Sequence, residues 1–355
     1  MFPNQVGLFF YSFPFIFVAM TAFLKLIRLP NLLIIAFTMY MIRYCLILPI
    51  IEQAELELQM PDFYFFLIVL STVMVAAAGY IINDYFDRKI DAINKPDEIV
   101  VDKGIKRRVA MGAHYVITTV AVFIGVWVSY VSGLFMLGTM IFIFCTASLW
   151  FYSTTFKRQF LVGNVLISIL AGLIPLIAAL FEMTFTSHEA HLILPDEIVK
   201  TLNQAILTIL SGYAFFAFII SLIREIIKDT EDYEGDAAYS CKTLPVVLGI
   251  NFAKYISAFL ALCVSGLIAF LMYTYLEFIN SLSSLQDDAS FLTPFYYVLF
   301  AIQIPLLALF VFLLFAKEKK HFRRASFLTK LIMLGGICFL FVLRHQLVTG
   351  NWQIV

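Results

Sequence analysis

"FYFFLIVLSTVMVAAAGYIINDYFDRKIDAINKPDEI", residues 63–99, opens with an uncharged apolar run and closes on repeated aspartates. The apolar part is about as long as the roughly 20 residues that carry a helix across a bilayer. Inside hydrocarbon only a helix or a closed barrel satisfies every backbone polar group, so the run reads as a spanning helix over 63–85. Its end poses the functional question. With a step of about 100° per residue, Asn83, Asp84, Asp87 and Asp91 fall inside an arc of about 100°. If the helix continues past the membrane, they form one polar stripe.

The rest of the chain agrees with a membrane setting. It has 355 residues, of which 62% are hydrophobic, 16% aromatic and only 14% charged. A soluble domain carries about 25% charged residues. Formal net charge is zero, so the overall balance points to no nucleic-acid partner. The five cysteines form no C-x-x-C pair and mostly lie inside apolar runs, which suits buried free thiols rather than disulfides or zinc ligands.

Nine stretches read as spans: 29–51, 63–85, 109–132, 134–152, 160–182, 204–228, 253–276, 293–316 and 326–346. The expected fold is therefore an all-α membrane protein, a bundle of about nine transmembrane helices with a cytoplasmic polar cap over the site. Lysines and arginines collect in alternate connections: Lys25 and Arg28; 88–108; Lys157 and Arg158; Lys242; and 317–324. The other connections are acidic or neutral. Basic connections stay in the cytoplasm, which places the N-terminus and the active face inside and the C-terminus outside. Residues 1–28 lack a basic start and a small-residue cleavage site, so no cleaved signal peptide is expected. They form an N-terminal apolar segment, either interfacial or a partial span, ahead of a single domain over 29–355.

A second acidic element closes span six. "REIIKDTEDYEGDAAYSCKTLP", residues 224–245, places Asp229, Asp232 and Asp236 at the spacing of Asp84, Asp87 and Asp91, with Glu225 one turn earlier. Spans two and six run in the same sense, so both stripes end at one face. Carboxylates this dense repel unless a cation sits among them. Hard oxygen ligands select Mg2+ or Ca2+, and Mg2+ is characteristically shared between carboxylates and substrate phosphate oxygens. Basic side chains stand on the same face: Lys157 and Arg158 in "YSTTFKRQFLVGN", and Arg224 and Lys228 beside the second motif. They could neutralise a diphosphate, with Tyr152 donating a hydrogen bond.

These elements together resemble those of the UbiA-type intramembrane prenyltransferases. "NDYFDRKID" resembles that family's N-D-x-x-D-x-x-x-D signature, "KDTEDYEGD" its D-x-x-D-x-x-x-D, and "YSTTFKR" followed by "GN" its Y-S-x-x-x-K-R element. The resemblance covers nearly the whole chain. It implies a helical bundle with a lateral opening to lipid and transfer of a prenyl group from a prenyl diphosphate to a lipid-soluble acceptor. It also implies Mg2+ held by Asn83, Asp84, Asp87, Asp91, Asp229, Asp232 and Asp236. Lys157 would bind the diphosphate, and Tyr152 would stand near the reacting carbon.

"REIIKDTEDYEGD" followed by "KTLPVVLG" is most similar to the digeranylgeranylglyceryl phosphate synthases, which implies geranylgeranylglyceryl phosphate as acceptor. Homogentisate-type members share much of the pattern and keep an aromatic quinone or tocopherol precursor open. The chain departs from the family after its first motif, reading "NKPDEIVVDKGIKRR" where many members have N-R-P-x-R-P-L. Lys103, Lys106, Arg107 or Arg108 could replace the missing arginine, and this basic loop is read as facing an anionic acceptor or lipid headgroups. The general base, either an aspartate or the released diphosphate, stays open, and oligomeric state is not legible.

A cation-coupled secondary transporter is the rival class. Such sites tend to lie near the midplane on broken helices between repeats, whereas these motifs share one membrane face. "HEAH", residues 188–191, is read as an external loop. No Gly-rich phosphate loop or nucleophile elbow occurs.

Overall fold

The computed structural model describes residues 20–193, 195–281 and 289–349. Among these, nine helices are long and apolar enough to cross a membrane: α1 Leu29–Glu52, α2 Asp62–Asn94, α3 Arg107–Val131, α4 Phe135–Thr154, α5 Val162–Ile193, α6 Asp196–Glu231, α7 Ile250–Ser281, α8 Thr293–Phe315 and α9 Lys319–Thr349. Large apolar side chains such as Phe123, Phe270 and Phe315 stand exposed on their outer faces. Only a hydrocarbon solvent accommodates that many, and the chain is a multi-pass integral membrane protein.

The helices carrying the two motifs are the longest. α2 has 33 residues and α6 has 36. At 1.5 Å per residue each reaches about 50 Å, well beyond a hydrocarbon core of about 30 Å. The surplus lets the motif turns stand clear of the membrane interior. α2 is continuous through Asn94, so the first stripe forms as expected. The second does not. α6 stops at Glu231, Asp232 leaves helical geometry (φ −93°, ψ 9°), and the chain restarts as a short helix, Tyr233–Ala238, that carries Asp236. The break re-aims Asp236 instead of leaving it one turn along α6.

Two wide π-helical turns interrupt otherwise regular helices, Ile42–Ile47 in α1 and Leu299–Gln303 in α8. Each lies just before a proline, Pro49 and Pro305. A proline ring clashes with the carbonyl four residues back and leaves it without its N–H, and a wider turn relieves both.

Two apolar cores hold the bundle. One gathers α1, α2, α5 and α6 around Ile47, Phe65, Phe181 and Leu210. The other gathers α6 to α9 around Ile220, Ala261, Leu309 and Ile332. A third, small cluster seats residues 20–26, which are helical, through Leu26 on Ile81, Val101, Ile105 and Ala110. Most of the N-terminal segment expected over 1–28 lies outside the described residues.

Two of the expectations need correcting. Residues 188–191 belong to α5, which runs on to Ile193, rather than to a loop. Of the five cysteines, all free, Cys45, Cys145 and Cys241 are buried but Cys263 is exposed.

Candidate active site at the paired aspartate motifs

The two motifs are tied together by the last turn of α2. Asn94, which continues the Asp84–Asp87–Asp91 stripe by one more step, donates Nδ2 to the Asp232 carbonyl at 2.9 Å. Its Oδ1 accepts the Gly235 N–H at 2.8 Å. The fit is close: a Cβ on Gly235 would sit 2.5 Å from Asn94 Nδ2. One residue on, Lys95 Nζ pairs with Asp232 Oδ2 at 2.8 Å. The short helix bearing Asp236 is thereby held against the face of α2 that carries the first motif.

Basic and amide groups from three further segments meet the carboxylates. Lys157, on the 3-10 turn Phe156–Arg158, pairs with Asp87. Burial pulls the lysine pKa down, but Asp87, Tyr152 and Asp91 outweigh it and hold Lys157 well above the ordinary lysine range. It is a fixed cation at any physiological pH. Arg28 donates Nη2 to Asp84 Oδ1 at 2.8 Å and lies over the Tyr80 ring at 5.0 Å. Burial disfavours its charge, yet Asp84 and Tyr80 leave its pKa raised. Arg28 also has φ 53°, left-handed backbone that a long side chain rarely adopts. Asn164 Nδ2 donates to Asp229 Oδ2 at 2.8 Å. Asp236 is buried, and burial pushes its carboxyl up to about 6 against the pull of Lys157.

Beside this cluster opens a cavity of about 290 Å³. Its polar end presents Asn83, Tyr152 and four cations, Arg28, Arg224, Lys228 and Lys330, against a single lining carboxylate, Glu225. Arg224 Nη1 and Lys228 Nζ both reach Glu225, at 2.6 and 3.7 Å. Arg224 Nε is buried with no hydrogen-bond acceptor among the described residues. The depth of the cavity is apolar, with Phe142, Leu170, Ile174, Phe216, Met333 and Ile337 on its walls. The shape is one that takes an amphipathic ligand, with an anionic head at the cations and a hydrocarbon tail inward.

Of the site residues expected from sequence, Asn83, Tyr152, Arg224 and Lys228 line this cavity. Asp84, Asp87, Asp229, Asp232 and Lys157 make the contacts just described. Asp91 is half-buried and Asp236 buried within reach of Lys157, neither in an ion pair of its own among the described residues. Arg158 is exposed and off the cavity wall. The basic loop after the first motif is also elsewhere. Lys103 Nζ donates to the Pro96 carbonyl, Arg107 lies over Tyr85, and none of Lys103, Lys106, Arg107 and Arg108 lines the cavity. Asn94, Asn164, Arg28, Lys95 and Lys330 enter the site without having been singled out for it.

Among the described residues, no three His, Cys, Asp or Glu side chains are gathered tightly enough to hold a metal ion. The donor set nevertheless fits a hard cation. Every motif side chain offers oxygen, and Asn83 Oδ1 and Asp232 Oδ1 are buried acceptors without a hydrogen-bond donor among the described residues. Buried acceptors are rarely left so, and a small oxygen-seeking cation is one partner that satisfies them.

Comparison with known proteins converges on the same elements. A family model described as "UbiA prenyltransferase family" matches residues 56–334. The chain is 31% identical over 196 residues to the digeranylgeranylglyceryl phosphate synthase of Methanothermobacter thermautotrophicus, covering 54% of this chain and 60% of that protein. It is 32% identical over 212 residues to the synthase of the same name from Methanothrix thermoacetophila, covering 58% and 66%. Each match thus spans less than two thirds of the relative's length. A solved structure described as giving structural and mechanistic insights into digeranylgeranylglyceryl phosphate synthase in membranes superposes with a TM-score of 0.55 at 20% identity, covering 91% of this chain and 99% of that one. That likeness supports the all-helical fold. With both aspartate motifs and the intervening Y-S-x-x-x-K-R element inside the matched region, the chain belongs to the UbiA prenyltransferase family.

Proposed function

We propose that this protein transfers a geranylgeranyl group from its diphosphate to the hydroxyl of geranylgeranylglyceryl phosphate, with residues 29–355 acting as one catalytic unit. The observation that carries the reading is the cavity whose ionic end abuts both aspartate motifs and whose interior is apolar. The names of the relatives supply the acceptor class, and the four lining cations are suited to it. An aromatic acceptor would call for fewer positive charges than Arg28, Arg224, Lys228 and Lys330 provide.

The residues suited to Mg2+ are Asn83, Asp84, Asp87, Asp91, Asp229, Asp232 and Asp236. Bound there with the donor diphosphate, the ion supplies Lewis-acid stabilisation of the leaving group. Lys157, charged and half-buried, stabilises negative charge building on the departing diphosphate, and such preorganised electrostatics is commonly the largest catalytic contribution. Tyr152, on the cavity wall, hydrogen-bonds a phosphate oxygen. The apolar walls keep water from an electron-poor prenyl carbon. Arg224, with its unpaired Nε, and Lys330 hold the acceptor phosphate, so that its hydroxyl is presented to that carbon. The acceptor hydroxyl attacks C1, the C1–oxygen bond of the donor breaks, and the hydroxyl proton leaves with the diphosphate or on an aspartate.

The lysines and arginines in the connections on the motif side support a cytoplasmic site. Diphosphate release by the purified protein in lipid tests the reading. Release should require Mg2+, geranylgeranyl diphosphate and geranylgeranylglyceryl phosphate, and be lost in Asp84→Ala. Release with aromatic acids instead would move the acceptor to a quinone precursor. No Mg2+-dependent release with any acceptor would reject prenyl transfer.

A further inference from the structure

The basic connection between α8 and α9 is fixed from three sides. Lys254 of α7, itself buried, donates Nζ to the carbonyls of Leu314 and Ala316 at 3.4 and 3.3 Å, where α8 ends. A helix leaves its last carbonyls without intrahelical donors, and a lysine is a natural partner for them. His321 Nδ1 accepts the Lys317 and Glu318 N–H groups at 3.2 and 3.3 Å, which fixes the entry into α9. Ala316, Phe322 and Ala325 are buried in the core of α6 to α9. From this platform two cations reach the ends of the motif helices. Lys319 and Arg323 are four apart and so share one face of α9. Lys319 Nζ donates at 2.8 Å to the carbonyl of Asn94, the last residue of α2. Arg323 Nε pairs at 2.9 Å with buried Glu231, the last residue of α6 before the break. Asn94 is thereby held twice: α9 takes its carbonyl, while its side-chain amide holds Asp232 and Gly235. Lys320, between the two cations, pairs instead with exposed Glu318 at 2.7 Å.

We propose that Lys319 and Arg323 are positioning residues for the reaction, and that through them the α8–α9 connection sets how the two aspartate motifs stand relative to one another. The inference rests on the prenyl-transfer reading above. Neither residue lines the cavity, and neither offers an oxygen to a metal ion. Each acts on a neighbour of a motif: Asn94 lies one turn beyond Asp91, and Glu231 directly precedes Asp232. The motifs come from helices distant in the chain, so their separation is fixed only by ties of this kind. Mg2+ demands near-ideal octahedral geometry, with oxygens at about 2.0–2.1 Å. A small shift of one stripe against the other is therefore felt first as weaker cation binding, ahead of slower chemistry.

Amide hydrogen exchange of the full chain in lipid, without metal, reads the tie directly, because the Gly235 N–H is bonded to Asn94 Oδ1. Lys319→Met should speed exchange over Tyr233–Ala238 by about tenfold, the size of a lost hydrogen bond to a charged group. Exchange in α5 around Phe181, in the other core, should stay as it was. Diphosphate release from geranylgeranyl diphosphate and geranylgeranylglyceryl phosphate supplies the second readout. The same variant should raise the Mg2+ concentration for half-maximal rate by about tenfold and lower the maximal rate far less. Lys319→Arg, which keeps a donor, should recover most of both effects. Arg323→Gln should move both in the same direction by less, since Arg323 is 57% exposed, and it decides the matter if Lys319→Met does not fold. Unchanged exchange over Tyr233–Ala238 in both variants overturns the inference and leaves prenyl transfer standing. So does faster exchange with an unchanged Mg2+ dependence, or a loss of protection shared by α5. Release from no donor by the wild type rejects prenyl transfer itself, and the positioning role with it.

Discussion

α2 has an ionic cluster at each end, and the two are built on opposite plans. At its start, Arg43 is 1% exposed and pairs with Glu182, which is fully buried, at 3.0 Å, and with exposed Asp62 at 3.0 Å. Its Nη2 donates to the Met60 carbonyl, and the guanidinium lies over the Phe65 ring at 4.4 Å. One buried cation meets one buried carboxylate, and protein groups enclose both. At the other end, Arg28, Lys95 and Lys157 each take one carboxylate, while Asp91, Asp229 and Asp236 have no cation of their own among the described residues, and the neighbouring cavity wall holds four cations to one acid. The balanced cluster is a fastening between α1, α2 and α5. The unbalanced one has charge of both signs in excess, in adjoining places, and that suits it to bind a cation and an anion together.

The widest separation between the two ends should appear on truncation. Arg43→Met leaves Glu182 buried without its partner, and should destabilise the protein by about 3–5 kcal/mol. The double variant Arg43→Met with Glu182→Met should recover most of that loss. Chemical unfolding in detergent checks both, and a double variant as unstable as the single would mean the pair is more than a fastening.

At the motif end the cost should fall on activity instead. Lys157→Met should reduce diphosphate release by about 10²- to 10³-fold, the effect of losing one preorganised charge donor. Its unfolding midpoint should change far less than that of Arg43→Met. Equal losses of stability in the two variants would erase the distinction between the clusters.

Asn94→Ala removes the hydrogen bonds that tie α2 to the second motif without removing any carboxylate. A net loss of about 1–3 kcal/mol is expected for buried bonds of this kind. It should appear as weaker Mg2+ dependence of release more than as a lower maximal rate. An unchanged Mg2+ dependence would mean that the two motifs do not need this tie.

The smallest effect concerns pH. Asp236 has its carboxyl raised to about 6 by burial. In metal-free protein a raised acid contributes stability below its unfolded pKa, and that contribution is lost as pH rises through about 6. The midpoint of thermal unfolding in EDTA should therefore fall between pH 5 and 7, and Asp236→Asn should flatten that part of the curve. A slope that survives the substitution belongs to another group.

Several of the structural contributors left a signal in the chain. Asn94 continues the spacing of the aspartate stripe, and a helix extended by one turn includes it. Lys330 is a lone lysine in the apolar body of the last span, and an intramembrane charge of that kind points to function. Asn164 stands in the "GN" that follows the Lys157 element. Arg28 and Lys95 looked like anchors at a cytoplasmic interface, which is what most basic residues at span ends are. The basic loop 103–108 reads as facing an anionic acceptor or lipid headgroups; Arg107 packs over Tyr85 and none of its basic residues lines the cavity. The break at Asp232 had no clear signal, because its spacing to Asp236 is the same whether or not the helix continues.

What the sequence by itself determined is local and periodic: about nine apolar helices, and the placing of two aspartate motifs at the same end of the bundle. Hydrocarbon thickness and the helical repeat act within one segment, so they are legible without its neighbours. What only the tertiary structure decided is which charge meets which. Arg28 and Asp84 are 56 residues apart, and Lys95 and Asp232 are 137 apart. Their pairing depends on how each helix is rotated about its axis, and that rotation is set by the side chains of every helix packed around it. The cavity beside the motifs arises in the same way, as the space that packing leaves between helices distant in the chain.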